Sequence, residues 1–422
     1  MERYDSYKDS DVKWLGEIPS HWEVNKAKYY LYSKKSIAGK DSTKYQRLAL
    51  TLNGIIKRQD GDDLGLNPDK LDTYQIVDQN DLIFKLIDLE NYKTSRVGLT
   101  PYKGIVSPAY IRLKCRGNIN MRYMEYYYLN MWYRHIFNDL GSPGVRSNLS
   151  SADLLNLSIL IPLLKEQDAI VSFLDEATSK MDAAIAQQQK MIDLLNERKQ
   201  IIINNAVTKG LDPSVPLKDS GIDWIGKIPA HWEVVRLKYL LSESKERSLS
   251  GNEEPLSMSQ IYGLIPTKEM NIIPNMASSF VGAKIVRKGD LVFNKLKAHL
   301  GVFNVSRYNG LVSPDYAVYS STGRVNLAFL EYIFKTPKCI HEFIKLITGV
   351  GAGLSRLYTS DLYSIYCAIP SIEEQTKICK FIEERTSNIR NAIINCQKQI
   401  SLLQERKQII INDVVTGKVK IV

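Results

Sequence analysis

Two stretches of the chain repeat apolar residues at alternating steps of three and four. In the first, from Lys165 to Thr208, the stripe is Ile170, Leu174, Ala177, Met181, Ala184, Gln188, Met191, Leu195 and Ile202. In the second, from Glu373 to Thr416, it is Ile378, Ile382, Ile389, Ala392, Cys396, Gln399, Leu403 and Ile410. The spacing predicts a heptad seam on two helices of about 40 residues, each roughly 60 Å long at ~1.5 Å per residue. Pro162 stops what precedes the first, Gly210 and Pro213 end it, and Gly417 ends the second. A helix this long with a narrow apolar stripe cannot stand alone in water. The alternative is that each helix folds back on its own domain, but the narrow, long seam favours their pairing as an antiparallel coiled coil, which would place the parts that precede them at opposite ends. Gln188, Gln399, Arg198 and Arg406 interrupt the seam, and polar seam residues can fix register.

The parts between the helices lack this period. Strands are predicted at 45–51, 81–87, 104–114, 285–295 and 311–320, and aromatic-rich helices at 121–139 and 326–347. Most of the rings in those helices read as core. The class is therefore α+β, with four segments: a globular domain over 1–162, a helix over 163–210, a second globular domain over 211–370 and a second helix over 371–422.

The chain also repeats itself. YKDSDVKWLGEIPSHWEVN (7–25) and LKDSGIDWIGKIPAHWEVV (217–235) match at eleven of nineteen positions, at an offset of 210. LLNERKQIIINNAVT (194–208) and LLQERKQIIINDVVT (402–416) match at twelve of fifteen, at an offset of 208. Similar ends around divergent middles suggest one scaffold used twice, with a pseudo-two-fold internal repeat and two different reading surfaces. Such a chain can imitate a symmetric dimer and suits a two-part target on a duplex.

Charge adds a mild bias. The net charge is +10, with +4 on each of 1–162 and 211–370. That fits a phosphate backbone as partner, although many soluble proteins are as basic. The cysteines, Cys115, Cys339, Cys367, Cys379 and Cys396, show no CxxC spacing and do not follow the repeat, so they read as free thiols in a reducing cytoplasm. The polar start MERYDSYKDSD is no signal peptide, and the apolar run at 154–164 is too short to span a membrane.

WLGEIPSHWEV and WIGKIPAHWEV resemble the openings of the target-recognition domains of type I restriction-modification specificity subunits. VSPAY (106–110), VSPDY (312–316), GDLVFNKLKAHLG (289–301) and NDLIFKLID (80–88) resemble later elements of those domains. The IP…EQ junctions (Ile161, Pro162, Glu166, Gln167; Ile369, Pro370, Glu374, Gln375) resemble the entry into the family's spacer helices, and ERKQIII (197–203 and 405–411) their exit. The resemblance covers essentially the whole chain in the order domain, helix, domain, helix. It implies a subunit without catalytic activity that reads a split, asymmetric sequence in double-stranded DNA, one half per domain, with the paired helices as the ruler for the gap. It implies two methyltransferase subunits as partners, which carry S-adenosylmethionine, and it can extend to two motor-nuclease subunits with ATP and Mg. No cofactor is expected on this chain.

The residues agree with a chain that binds. They contain no Gly-x4-Gly-Lys-Ser/Thr loop, no HExxH and no Asn-Pro-Pro-aromatic motif. GVGAG (349–353) follows a helical stretch and no strand, so it reads as a turn near DNA. The repeated His21 and His231, in HWEV, read as packed turns shaped by Pro19 and Pro229, because one shared motif cannot read two different half-sites. Arg and Lys can grip guanine, and Asn and Gln adenine. The candidate DNA contacts in the first domain are Arg47, Asn53, Lys57, Arg58, Lys85, Lys93, Arg96, Arg146 and Asn148. In the second they are Gln260, Tyr262, Lys268, Asn294, Lys295, Lys297, Arg307 and Arg356. Arg146 and Arg356 stand out, each between a glycine-rich loop and an Asp-Leu helix start, although their registers differ by two residues. The competing reading is a degenerate specificity subunit that serves only as a helical adaptor for partner subunits.

Overall fold

A computed structural model of the chain describes residues 2–52, 54–59, 71–87, 89, 96–140, 148–259, 262–270, 279–347 and 356–421. The chain divides into two units, Met1–Gln189 with Lys398–Val422, and Lys190–Gln397.

The first unit contains β1 (Tyr7–Asp9), β2 (Glu17–Pro19), β3 (Glu23–Lys26), β4 (Leu31–Tyr32), β5 (Leu48–Thr51), β6 (Gly54–Lys57), β7 (Gln75–Val77), β8 (Leu82–Lys85), β9 (Arg96–Leu99), β10 (Gly104–Val106), β11 (Ile111–Cys115) and β12 (Ser158–Ile161). Its central sheet has the order β4-β11-β8-β9, all antiparallel, and smaller pairs β1-β2, β3-β12, β5-β6 and β7-β10 surround it. Leu82, Ile83 and Phe84 of β8 are all buried because both faces of this strand are covered. Leu82 and Phe84 join the main core with α1 (Met121–Tyr133), and Ile83 joins a small second core with Leu48, Leu50, Ile55, Val77 and Val106.

The second unit repeats this plan with β13 (Leu217–Asp219), β14 (Lys227–Pro229), β15 (Glu233–Arg236), β16 (Leu241–Glu243), β17 (Leu256–Ser259), β18 (Gly263–Pro266), β19 (Lys284–Val286), β20 (Leu291–Asn294), β21 (Phe303–Val305), β22 (Gly310–Val312), β23 (Tyr316–Ser321) and β24 (Tyr366–Ile369). The central order β16-β23-β20-β21 is that of the first unit. The small core of Leu256, Leu264, Val286, Val292, Val312 and Val318 is its counterpart there.

Three predicted strands and both predicted helices are each divided. Strand 104–114 ends at Val106, turns over Ser107–Tyr110 and re-enters the central sheet as β11, because Pro108 has no N–H for a ladder. Gln75 clamps that turn, its Nε2 donating to the Ser107 and Tyr110 carbonyls at 3.0 and 2.6 Å. Strand 311–320 divides the same way at Ser313–Pro314, and 285–295 divides at Gly289, whose φ of +97° glycine tolerates. Helix 121–139 becomes α1 and α2 (Ile136–Leu140), separated at His135 with φ +57°. After α3 (Ser151–Asn156) and α4 (Leu164–Lys209), helix 326–347 becomes α5 (Leu327–Phe334) and α6 (Pro337–Leu346), where Thr336 caps the second piece and Pro337 occupies its first turn. In both units a helix glutamate closes the edge of the sheet. Glu125 accepts the Leu99 N–H at 2.9 Å and Glu331 the Val305 N–H at 2.7 Å.

The two long helices form as the period predicts, α4 with 46 residues and, after α7 (Thr359–Ser364), α8 (Ile372–Val415) with 44. In the first unit Ile170 and Leu174 near the start of α4 share a core with Ile411, Val414 and Val415 at the end of α8, so the segments run antiparallel. In the second unit Ile203, Ala206 and Val207 share a core with Ile378 and Ile382, again antiparallel. The seam differs from the predicted one at four points, two of them Arg198 and Arg406, which are exposed while Lys199 and Lys407 are half-buried in their places. Met191 is 47% exposed and Ile192 takes its place, while Gln399 is exposed and Ile400 half-buried. A 3.6-residue helix drifts against a strict heptad, and the stripe moves by one position there.

The EQ pairs join each domain to its helix. Gln167 is buried; its Nε2 donates to the Pro162 carbonyl (2.9 Å) and its Oε1 accepts from the Asn120 N–H (2.9 Å), ahead of α1. Gln375 does the same with Pro370 (2.9 Å) and Asn326 (2.7 Å), ahead of α5. Glu166 meets His21 Nε2 at 3.1 Å and accepts from the Tyr4 hydroxyl. Glu374 meets His231 Nε2 at 2.8 Å and accepts from the Trp232 indole N–H at 3.1 Å. The repeated HWEV is thus a packed turn locked to the helix start, as expected for His21 and His231. All five cysteines are free. Among the described residues no helix is long and apolar enough to cross a membrane.

Candidate nucleic-acid interface

In the first unit the β5-β6 hairpin lies against β10 because residue 104 is glycine. A Cβ there would overlap the Gln46 carbonyl oxygen and come within 2.8 Å of the Leu48 side chain. The second unit builds the same contact at Gly310, against the Glu254 carbonyl and Leu256. This close approach brings one end of the small core, the VSPxY turn and several cations together.

Arg47 sits beside β5 with its guanidinium 5.7 Å from the centre of the Tyr74 ring. Lys57, at the end of β6, lies 4.4 Å over Tyr102, and Lys103 lies 5.9 Å from Tyr45. Tyr110, the turn tyrosine, is the common neighbour of Arg96, Tyr74, Arg58 and Arg47. Burial pushes its phenol above the ordinary value, and the three guanidinium groups oppose that rise. Lys85 and Arg96 are cross-strand partners on β8 and β9. Asn148 is exposed and bridges to Ile87 just beyond β8. Cations held over aromatic rings in this way suit phosphate and base-edge contact. Arg58 is the exception. It is only 7% exposed, so it supports the cluster from beneath, a correction to its candidacy as a base contact.

The second unit places its candidates differently. Tyr262 is exposed at the β17-β18 turn, and Arg307 and Lys297 are exposed beyond β21 and β20. Lys268 pairs with Glu254 at 3.2 Å. Asn294 is 6% exposed and its Oδ1 accepts from the Leu296 N–H at 3.1 Å, so it caps its own turn and does not face a base, a second correction. Lys295 and Lys284 share the Glu243 carboxylate at 3.3 and 3.0 Å. Burial acts to raise Glu243, but Thr359 and the two lysines outweigh it and hold the carboxyl below the ordinary range. Arg356 meets Asp315 of the VSPDY turn at 3.1 Å. Asn53, Lys93, Arg146 and Gln260, with the glycine-rich stretches 141–147 and 349–353, lie outside the described residues.

The structure brings Arg47, Arg58 and Arg96 together around Tyr110, and Lys295 and Arg356 beside the second turn, where the Leu357 N–H donates to the Lys295 carbonyl at 3.0 Å. The sequence reading missed Tyr74, Tyr110, Glu243 and Asp315. The difference between VSPAY and VSPDY was the available signal for Asp315. Among the described residues no group of His, Cys, Asp and Glu is placed to hold a metal ion.

Residues 10–193 match the family described as type I restriction modification DNA specificity domain. Two proteins of Methanocaldococcus jannaschii are similar over most of the chain. One, bearing the name type I restriction enzyme MjaX specificity subunit, is 27% identical and covers 98% of both chains. The other, the type I restriction enzyme MjaVIII specificity subunit, is 25% identical over 82% of this chain and 80% of its own. A solved structure described as the basis of complex assembly and conformational transition of the type I R-M system shares the fold, with a TM-score of 0.65 at 12% identity, covering 95% of this chain and 99% of that one.

Proposed function

We propose a mode of target reading for this chain, which belongs to the family of type I restriction-modification specificity subunits, whose function is DNA recognition and assembly with partner subunits. Each α+β domain reads one half of a bipartite, asymmetric DNA sequence in the major groove, and the long helices set the gap. One observation carries this reading. The two units share strand order, small core and glycine contact, yet polar side chains at their VSPxY turns differ, with Asp315 and Arg356 in one against Ala109 and Asn148 in the other. A common scaffold with divergent contacts reads two different half-sites.

The chain itself supplies binding and orientation. Exposed lysines such as Lys57 and Lys297 contact phosphate, which fixes register without sequence information. Residues on the turns and beyond β8 and β20 contact base edges. Two methyltransferase subunits supply S-adenosylmethionine and the chemistry, and two motor-nuclease subunits complete a restriction complex with ATP and Mg. The outer faces of the helices fit a helical partner. Leu194 and Ile201 on α4, and Leu402 and Ile409 on α8, are each about half exposed at a heptad spacing, at the same positions of the repeat.

The test is binding by the purified complex of this chain with its methyltransferase subunit. The complex should retain one bipartite duplex over a scrambled one, and Lys57→Gln should weaken both while lowering the salt slope by about one ion. Removing a heptad from α4 and the matching heptad from α8 should change the gap of the preferred duplex. Equal affinity for all duplexes by an assembled complex would instead favour the helical adaptor.

A further inference from the structure

The candidate-site geometry corrects an equivalence between the two domains. Arg146 resembles Arg356 in its loop setting, but the backbone assigns Arg356 a different counterpart. The Leu357 N–H donates to the Lys295 carbonyl at 3.0 Å, and the Leu149 N–H donates to the Leu86 carbonyl at 3.2 Å. Leu86 and Lys295 each directly follow the central strand, β8 or β20. Leu149 and Leu357 are both buried. Their preceding residues, Asn148 and Arg356, each stand three positions ahead of a short helix, α3 beginning at Ser151 or α7 at Thr359. Asn148 and Arg356 therefore occupy one address, pinned by a main-chain bond to the middle of the sheet.

Their chemistry differs in the way a base code requires. An asparagine amide offers one donor and one acceptor, the complement of adenine N7 and N6. An arginine fork offers two donors, the complement of guanine O6 and N7. The neighbouring turn changes in step. Immediately before the turn tyrosine stands Asp315 in the domain with arginine and Ala109 in the domain with asparagine. Asp315 Oδ1 accepts from Arg356 Nη2 at 3.1 Å, which fixes the plane of the guanidinium and leaves its other N–H groups for a partner. A neutral amide needs no such carboxylate. Arg356 keeps 34% of its side-chain surface and Asp315 64%, and Asn148 is exposed, so the address is open. The other matched pair of candidates, Lys85 and Asn294, does not compete, since Asn294 is buried in its own turn.

We propose that this address is a specificity-determining position, with Asn148 reading an adenine in one half-site and Arg356, oriented by Asp315, reading a guanine at the equivalent place in the other. The inference rests on the DNA-reading function proposed above. Asp315 is a positioning residue.

The experiment is to map methylated sites in DNA from cells that express the chain with its methyltransferase subunit, for the wild type, the pair Asn148→Arg with Ala109→Asp, and the pair Arg356→Asn with Asp315→Ala. The first pair should change one A·T to G·C in one half-site, and the second should make the reverse change in the other. The gap and the opposite half-site should be unchanged. Arg356→Ala and Asn148→Ala should each relax one position, with roughly ten- to hundredfold less discrimination there. Asp315→Ala should weaken guanine preference in part, and Asp315→Asn should restore some of it. Unchanged motifs in both paired variants overturn the inference, as do changes spread over several positions. Should the paired variants assemble without methylating, the alanine variants decide, and loss without relaxation at one position overturns it. A wild-type complex that yields no bipartite motif marks failure of the underlying function instead.

Discussion

Gln375 joins the second domain to its helix, and its removal has a calculable cost. The side chain is fully buried. Its Nε2 donates to the Pro370 carbonyl at 2.9 Å and more weakly to the Arg324 carbonyl at 3.3 Å, and its Oε1 accepts from the Asn326 N–H at 2.7 Å. Gln375→Ala strands the Asn326 N–H and the Pro370 carbonyl, each costing about 1–3 kcal/mol, also removes the weaker bond to the Arg324 carbonyl, and leaves a small cavity besides. The expected loss is about 3–5 kcal/mol from the second unit. Gln375→Glu keeps the acceptor for Asn326 but sets a carboxylate against the Pro370 carbonyl, so it should also destabilise. The assay is urea unfolding followed by tryptophan fluorescence, with Trp232 buried nearby, together with hydrogen exchange at the Asn326 and Ala328 amides. A loss under about 0.5 kcal/mol with the Asn326 amide still protected would refute this account of the junction. Gln167→Ala should behave likewise in the first unit, with Asn120 as the exposed amide.

Other expectations follow from the same packing. Gly310→Ala forces a Cβ against the Glu254 carbonyl oxygen and within 2.8 Å of Leu256, so it should cost about 1–3 kcal/mol and blur the reading of the second half-site alone, as seen in unfolding and in binding to half-site variants. Lys199 and Lys407 hold matching repeat positions and should respond with opposite signs. Lys407 pairs with Asp182 at 2.7 Å, and Lys407→Met should remove at most about 1 kcal/mol. Burial, then the charges of Arg390 and Lys335, hold the Lys199 ammonium below its ordinary pKa, so its charged form opposes folding at neutral pH. Lys199→Met should therefore raise the urea midpoint of the second unit, and a fall would contradict that reading. Leu402→Ser with Ile409→Ser should reduce co-purification of the methyltransferase subunit without lowering the melting temperature.

The sequence made the long helices legible because their period is local and unbroken over many turns. Even there the stripe slipped at Met191 and Gln399, where helical drift decides which neighbour faces inward. The repeat revealed two similar domains, but their strands were drawn too long at 104–114 and 311–320. Both breaks depend on a proline, and the first also on a clamp by Gln75 from another strand. The split at His135 has no such local cue; it rests on a left-handed backbone angle at an exposed residue. Candidate DNA contacts were the hardest to place. Asn294 and Arg58 have suitable side chains yet are buried, and Asn148 became the counterpart of Arg356 only through the hydrogen bonds of Leu149 and Leu357.

The central claim is that one scaffold, used twice, reads two different half-sites. Single-molecule sequencing of methylated adenines in DNA from cells that express this chain with its methyltransferase subunit tests it most directly. The account predicts a single asymmetric motif of two short specific blocks separated by a gap of fixed length. An assembled, active complex that methylates one continuous block, or no defined motif, would contradict it.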